Sequence, residues 1–330
     1  MSACWVALCK PPIEPGSSGD LTRLSPLVDD YCLSLPEIHP RVLGDIMLDR
    51  TWVAALDRTN RGVMREPERE PTAALALVPA GAGVASAIAV TSVLDASGLS
   101  TFSALPLAPL LAVYWRLQRF SRRQIGFTWG SRGDYTVALL YPIIVTATLC
   151  ILAALAGDID LSHARWGKAS LNFALITMST VLVAIITEEG FFRGWLWASL
   201  ERAGLGTAAV LAWSSLAFAA WHWSSVFLAT DFAPPRAEAP ILMLNAAVLG
   251  AAFGLLRSAS RSVVVSSVSH GIWNGLAYVL FGFGTHVGVL GVKHAGVFGP
   301  ELGVLGLVLN IASVVTLWIR TRSQPERTIE

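Results

Sequence analysis

Three short segments of the chain carry side chains that could do chemistry together. They are EEGFFR at 188–193, FAAWH at 218–222 and HGIWN at 270–274, each set in an otherwise apolar run. Glu189 and Arg193 stand at i, i+4 with the acid on the N-terminal side, the order that favours an ion pair on a helix. That pair neutralises one carboxylate and leaves Glu188, about 100° round the helix, free to meet another segment. A carboxylate whose proton affinity is set by burial and a nearby cation can serve as a general base. His222 shares a helix face with Phe218. Ser262, Ser266, His270 and Asn274 step by four and form one polar stripe. A carboxylate and an imidazole can hold one water and take its proton. A second imidazole and an asparagine amide, one turn apart, can donate hydrogen bonds to the oxyanion that forms at an amide carbonyl, and losing such a donor costs about 2.7–4 kcal/mol of barrier. On this reading Glu188 is the base, His222 its partner, and His270 with Asn274 the oxyanion hole. Glu189 and Arg193 are supporting residues, and the reaction is hydrolysis of a peptide bond.

Each feature taken singly has a plainer explanation. A helix ending at Thr187 would leave EEGFFR as an interfacial loop, a lone histidine is often a satisfied core residue, and a polar stripe can serve interhelical hydrogen bonding. Depth joins them: all three sites lie far from the ends of their apolar runs, and one polar chamber accounts for all of them. Other hydrolytic signatures are missing, since the chain has no HExxH, GxSxG or GxGD. The expectation is a site without a cofactor. Zinc stays open as an alternative, because Glu188, His222 and His270 are acceptable ligand types. His286 and His294 fall in a glycine-rich stretch and read as loop histidines.

The elements that must position these groups follow from composition. Hydrophobic types make up 54% of the 330 residues and charged types 14%, against about 25% charge in a soluble domain. Residues 1–70 hold 19 of the 47 charged residues. Such a chain is neither an ordinary soluble enzyme nor a disordered one, and a net charge of +1 argues against a nucleic-acid surface. The four cysteines, Cys4, Cys9, Cys32 and Cys150, show no metal or disulfide spacing. The first fifteen residues do not fit a secretory leader, because Lys10 and two prolines interrupt the apolar run. Residues 1–70 read as a short cytosolic extension, partly helical or disordered.

Apolar, charge-poor stretches then recur at Thr72–Leu94, Ala96–Trp115, Tyr135–Gly157, Leu171–Thr187, Ala203–Thr230, Ala239–Leu256, Ser262–Val292 and Leu302–Ile319. About 20 apolar residues cross a bilayer as a helix. The expectation is an all-α polytopic membrane helix bundle of about eight transmembrane helices. Its parts are two helices and a basic loop over 71–134, a catalytic domain over 135–320 and a tail over 321–330. The fourth helix is expected to run Leu171–Leu200 through the charged patch, and Gly250 with Gly254 to pack closely on a neighbour. Arginines cluster in alternate loops: Arg116, Arg119, Arg122, Arg123 and Arg132; Arg202; Arg257 and Arg261; Arg320, Arg322 and Arg327. The opposite loops have only Arg165, Lys168, Arg236 and Lys293. Both termini are therefore expected to face the cytoplasm of a multi-pass cell-membrane protein.

With the motifs on these spans, the chain resembles the CPBP glutamic-type intramembrane proteases, the CAAX-protease and bacteriocin-processing family, which are similar to the type II CAAX prenyl endopeptidases. The family pattern is EExxxR, FxxxH, then HxxxN or HxxxD on three separate helices. EEGFFR, FAAWH and HGIWN match it in order. The resemblance implies water activation by Glu188 and His222, an oxyanion hole from His270 and Asn274, and a membrane-anchored peptide or protein as substrate. Many such proteins carry a metalloprotease label. Two other readings remain. One is a non-catalytic immunity or scaffold protein of the same fold. The other is a transporter with a proton-relay carboxylate, which lacks the matching broken half-helices of such folds.

Overall fold

Backbone N–H and C=O groups have no partner in hydrocarbon except one another, so apolar runs of this length resolve into helices. The computed structural model describes residues 73–229, 234–283 and 286–323. The extension read over 1–70, Arg327 and the tail beyond 323 lie outside the described residues. The helices are α1 (Ala73–Ala96), α2 (Leu107–Gln118), α3 (Arg132–Leu155) and α4 (Trp166–Ala184), followed by a π-helical segment (Glu189–Leu196) that leads into α5 (Trp197–Arg202). Next come α6 (Thr207–Trp221), α7 (Trp223–Phe227), α8 (Ala239–Ser260) and α9 (Val263–Leu276) with a π-helical end (Ala277–Phe281). A two-residue hairpin, β1 (Gly282–Phe283) with antiparallel β2 (His286–Val287), precedes α10 (Ala295–Phe298) and α11 (Val304–Ser323).

The protein is a multi-pass, all-α membrane bundle. Each of the eight apolar stretches carries helix, and six helices among the described residues are long and apolar enough to cross a membrane. The other two stretches fold into shorter pieces. The second opens with a 3₁₀ turn and Pro106 before the 12-residue α2, and the fifth ends α6 after 15 residues. The seventh stops at Phe281, where Gly282 takes φ +91° and turns the chain into the hairpin. Outward stripes mark the lipid face: Leu171, Leu175, Met178 and Leu182 on α4, and Val304, Val308, Ile311, Val315 and Ile319 on α11, are exposed at helical spacing.

Helix starts are set by local chemistry. Ser131 and Asp134 form a reciprocal capping box at α3. Ser262, read as part of the polar stripe, instead caps α9 by accepting from the Val265 N–H. The core is built by α9 packing on α3 and α4, and by α8 packing on α6 and α11. Gly250 lies against the Ser215 backbone, and Gly254 against Leu211 and Trp197. The arginine-bearing loops gather at one end: Arg257 Nη2 donates to Gln124 O at 3.0 Å, Thr128 Oγ1 to Arg261 O at 2.8 Å, and Val263 N–H to Gly126 O at 2.8 Å. At the other end Asp160 N–H donates to Leu290 O at 3.0 Å, and His294 is tied to Asp158 through its ring and its backbone N–H.

The fourth span departs from a continuous α-helix. It turns at 185–187 and then winds as a π-helix, giving one 37-residue apolar helical unit over Trp166–Arg202. Gly190 permits this, because a Cβ there would lie 2.4 Å from Ile185 O and 2.9 Å from Leu111 Cδ2. Gly190→Ala should lower thermal stability in detergent by about 1–3 kcal/mol, the usual cost of overpacking.

His294 is more than a loop histidine. Burial by itself would raise the Asp158 carboxyl, but the His294 hydrogen bonds outweigh it and hold that carboxyl below its ordinary value. A depressed carboxylate contributes stability above the unfolded pKa, about 3.9, and loses it as pH falls through the folded value. Asp158→Asn should therefore melt earlier than the parent protein at neutral pH. The two melting curves should converge as the pH falls through the folded value of Asp158.

Candidate active site

The three motif segments meet inside the bundle. The π-helical segment brings both glutamates against α9, and α6 closes the side opposite. Glu188 and Glu189 are fully buried, His222 and His270 are 2% exposed and Asn274 is 1% exposed, so bulk water does not reach any of them directly.

The expected Glu189–Arg193 ion pair is present, with Nη1 3.2 Å from Oε1 and neither side chain exposed. The arginine has further partners. Its Nη2 donates to Gly250 O at 3.2 Å, and its guanidinium lies 4.0 Å over the Phe218 ring. Phe218, four residues before His222, thus faces the cation with its ring face. It meets the His222 ring edge-on at 4.4 Å. A desolvated cation–π contact of this kind contributes about 2 kcal/mol.

His270 lies between the two carboxylates. Its Nδ1 is 3.1 Å from Glu189 Oε1, and its Nε2 is 3.8 Å from Glu188 Oε2. Sequence spacing pairs Glu189 with Arg193; the same carboxylate oxygen also accepts from His270, a second partner that spacing along one helix does not contain. The Phe253 ring stacks on the imidazole at 4.8 Å and 17°. Asn274 follows one turn along α9, and neither of its side-chain polar atoms has a hydrogen-bond partner among the described residues.

His222 differs from the expectation of a residue deep within a span. It sits at the break between α6 and α7, capping the end of one and the start of the other. Its Nδ1 lies 2.8 Å from Phe218 O. Donation from Nδ1 to that carbonyl leaves Nε2 as the nitrogen that accepts.

Zinc would require Glu188, His222 and His270 to converge on one point. Among the described residues no group of three or more His, Cys, Asp or Glu side chains is arranged to hold a metal ion.

Sequence reasoning passed over a second buried polar cluster. Trp273 donates its indole N–H to Glu301 Oε1 at 2.8 Å, and its ring stacks on Tyr141 at 5.7 Å. Tyr141 O–H donates to Asn310 Oδ1 at 3.0 Å, and Asn310 Nδ2 to Asn245 Oδ1 at 2.9 Å. Asn245 and Asn310 are polar interruptions of apolar runs, the same signal that drew attention to Glu188. Glu301 sits just before such a run, where a charge looks unremarkable.

A polytopic helical bundle with a buried carboxylate–imidazole centre defines the class. Residues 170–276 match the family model of the Rce1-like type II CAAX prenyl endopeptidases. The matched stretch contains all three motifs, and the match supports the CAAX-protease family read from them. No curated protein and no solved structure matches the chain.

Glu189→Gln strips the buried arginine of its counter-charge. It should destabilise the fold by about 3–5 kcal/mol. Arg193→Met in the same chain should restore a substantial part of that loss, read as a thermal double-mutant cycle. Additive losses would mean that the two side chains are not coupled.

Proposed function

We propose that the chain is an intramembrane endopeptidase that hydrolyses a peptide bond of a membrane-anchored peptide or protein with an activated water. The observation that carries this is the position of His270 between two buried carboxylates, with an asparagine amide one turn away that has no partner among the described residues. Glu188 Oε2 and His270 Nε2 are close enough for one water to hydrogen-bond to both. Glu188 takes a proton from that water, and Nε2 of His222 orients it. The oxygen attacks the carbonyl carbon. Asn274 Nδ2 and His270 Nε2 donate to the oxyanion; for this the ring carries both protons, with the Glu189 carboxylate as counter-charge. Collapse of the tetrahedral intermediate breaks the C–N bond, and Glu188 returns the proton to the leaving nitrogen. Arg193 and Glu189 hold His270 in place and touch no reacting atom.

The family match supports the protease class, and the segregation of arginines to one end of the bundle supports the cell membrane with both termini cytoplasmic. The proposed substrate is an extended segment held near the bilayer by its own anchor, because a site at this depth is closed to a freely soluble folded protein.

The test is cleavage of a panel of lipid-anchored and transmembrane peptides by the purified chain in detergent, with products identified by mass spectrometry. Glu188→Gln should abolish cleavage. Asn274→Ala should lower kcat by about 10²–10³ with little change in KM, as for loss of an oxyanion donor. Full cleavage by Glu188→Gln would remove the proposed base.

A further inference from the structure

Hydrolysis consumes one water per turnover, and the proposed site lies behind Phe192, Phe218, Phe253 and Trp221, all buried. Water has to be brought to it. Beyond Asn274 the polar face of α9 continues to Tyr278, four residues on. Here four buried atoms have no hydrogen-bond partner among the described residues: Asn274 Oδ1 and Nδ2, Tyr278 O–H and Glu301 Oε2. An unsatisfied buried polar group costs about 1–3 kcal/mol, and most are satisfied by protein or water. Four in one neighbourhood point to a shared partner.

Glu301 also lines a cavity of ≈ 100 Å³ whose walls include Ala277, Phe281, Phe283, Val292 and Leu302. Ala277 is three residues past Asn274, about 4.5 Å along the helix axis. Glu301 is near enough to Glu188 and His270 to interact electrostatically with both. The cavity lies under residues 286–302, at the end of the bundle opposite the arginine loops. A bound water needs roughly 10–15 Å³ and two to four polar partners. The cavity supplies the room, and the four atoms supply the partners.

We infer that a file of hydrogen-bonded water runs from this cavity past Glu301, Tyr278 and Asn274 to Glu188, and that it delivers the water consumed in hydrolysis. Its purpose rests on the proposed protease reading; its existence does not. Each turnover draws one molecule from the file. The oxygen bonds to the carbonyl carbon, the C–N bond breaks, and one proton passes through Glu188 to the leaving nitrogen. The file refills from the cavity.

Radiolytic hydroxyl-radical footprinting of the full chain in nanodiscs tests this without turnover, because radicals form on bound internal water. Trp273, 1% exposed and bonded to Glu301, is the reporter, and the equally buried Trp195 is the control. Trp273 should oxidise several-fold faster than Trp195. Tyr278→Phe and Glu301→Leu should each cut Trp273 oxidation at least threefold with Trp195 unchanged, and Glu301→Gln should retain it. Protection of Trp273 equal to that of Trp195, or equal oxidation in all variants, overturns the water file. On any peptide that the parent chain cleaves, Glu301→Leu should lower kcat at constant KM. A raised KM at constant kcat would make this a peptide subsite and likewise overturn the proposal. If no peptide is cleaved, the protease reading fails while footprinting still decides the file.

Discussion

Arg193 is a permanent charge in the middle of an apolar bundle, and the site is organised around satisfying it. Placing such a charge at the centre of a membrane helix costs about 2.5–3.5 kcal/mol on insertion scales. Here that cost is offset by the Glu189 carboxylate, the Gly250 carbonyl and the face of Phe218. Once Glu189 is held by the arginine, its Oε1 is a fixed acceptor for His270. The imidazole then has only one nitrogen left to present to Glu188. A structural charge pair on one helix thereby fixes the orientation of an imidazole on another.

The surrounding packing serves the same end. Close approach at Gly250 lets α8 offer its backbone carbonyl to the arginine, and Gly254, one turn further on, keeps α8 against α6. Phe253 stacks on His270 and Phe218 meets the edge of His222, so both imidazoles are wedged by rings that exclude water. In such a setting, hydrogen bonds to charged groups are stronger than in solvent, and orphaned polar atoms are more costly. Asn274 therefore stands out: neither polar atom of its buried amide has a hydrogen-bond partner among the described residues.

Much of this was legible in the residues. Charge-free runs of helical length identified the elements, and the loop arginines sorted them into two ends. The i, i+4 spacing identified the Glu189–Arg193 pair, and the coincidence of three motifs on separate runs pointed to a candidate site and to the family that the match over residues 170–276 supports. What spacing could not carry was backbone winding. The π-helical turn depends on Gly190 letting the Ile185 carbonyl approach, and glycine alone does not announce that. The break that places His222 at a helix junction falls within an unbroken apolar run, WHWSSVF, with no proline or glycine to mark it. The hairpin after Phe281 was hidden for the opposite reason, since glycine-rich apolar sequence reads as continued span. The second link of Glu189, to His270, joins residues 81 positions apart, and no local pattern reports it.

Glu189 dictates which His270 nitrogen faces Glu188. Solid-state ¹⁵N magnetic resonance of histidine-labelled protein in bilayers measures this directly. A protonated, hydrogen-bonded Nδ1 on His270 is expected, with a signal that moves when Glu189 is replaced by glutamine. An unprotonated Nδ1, or a signal indifferent to that replacement, would contradict it.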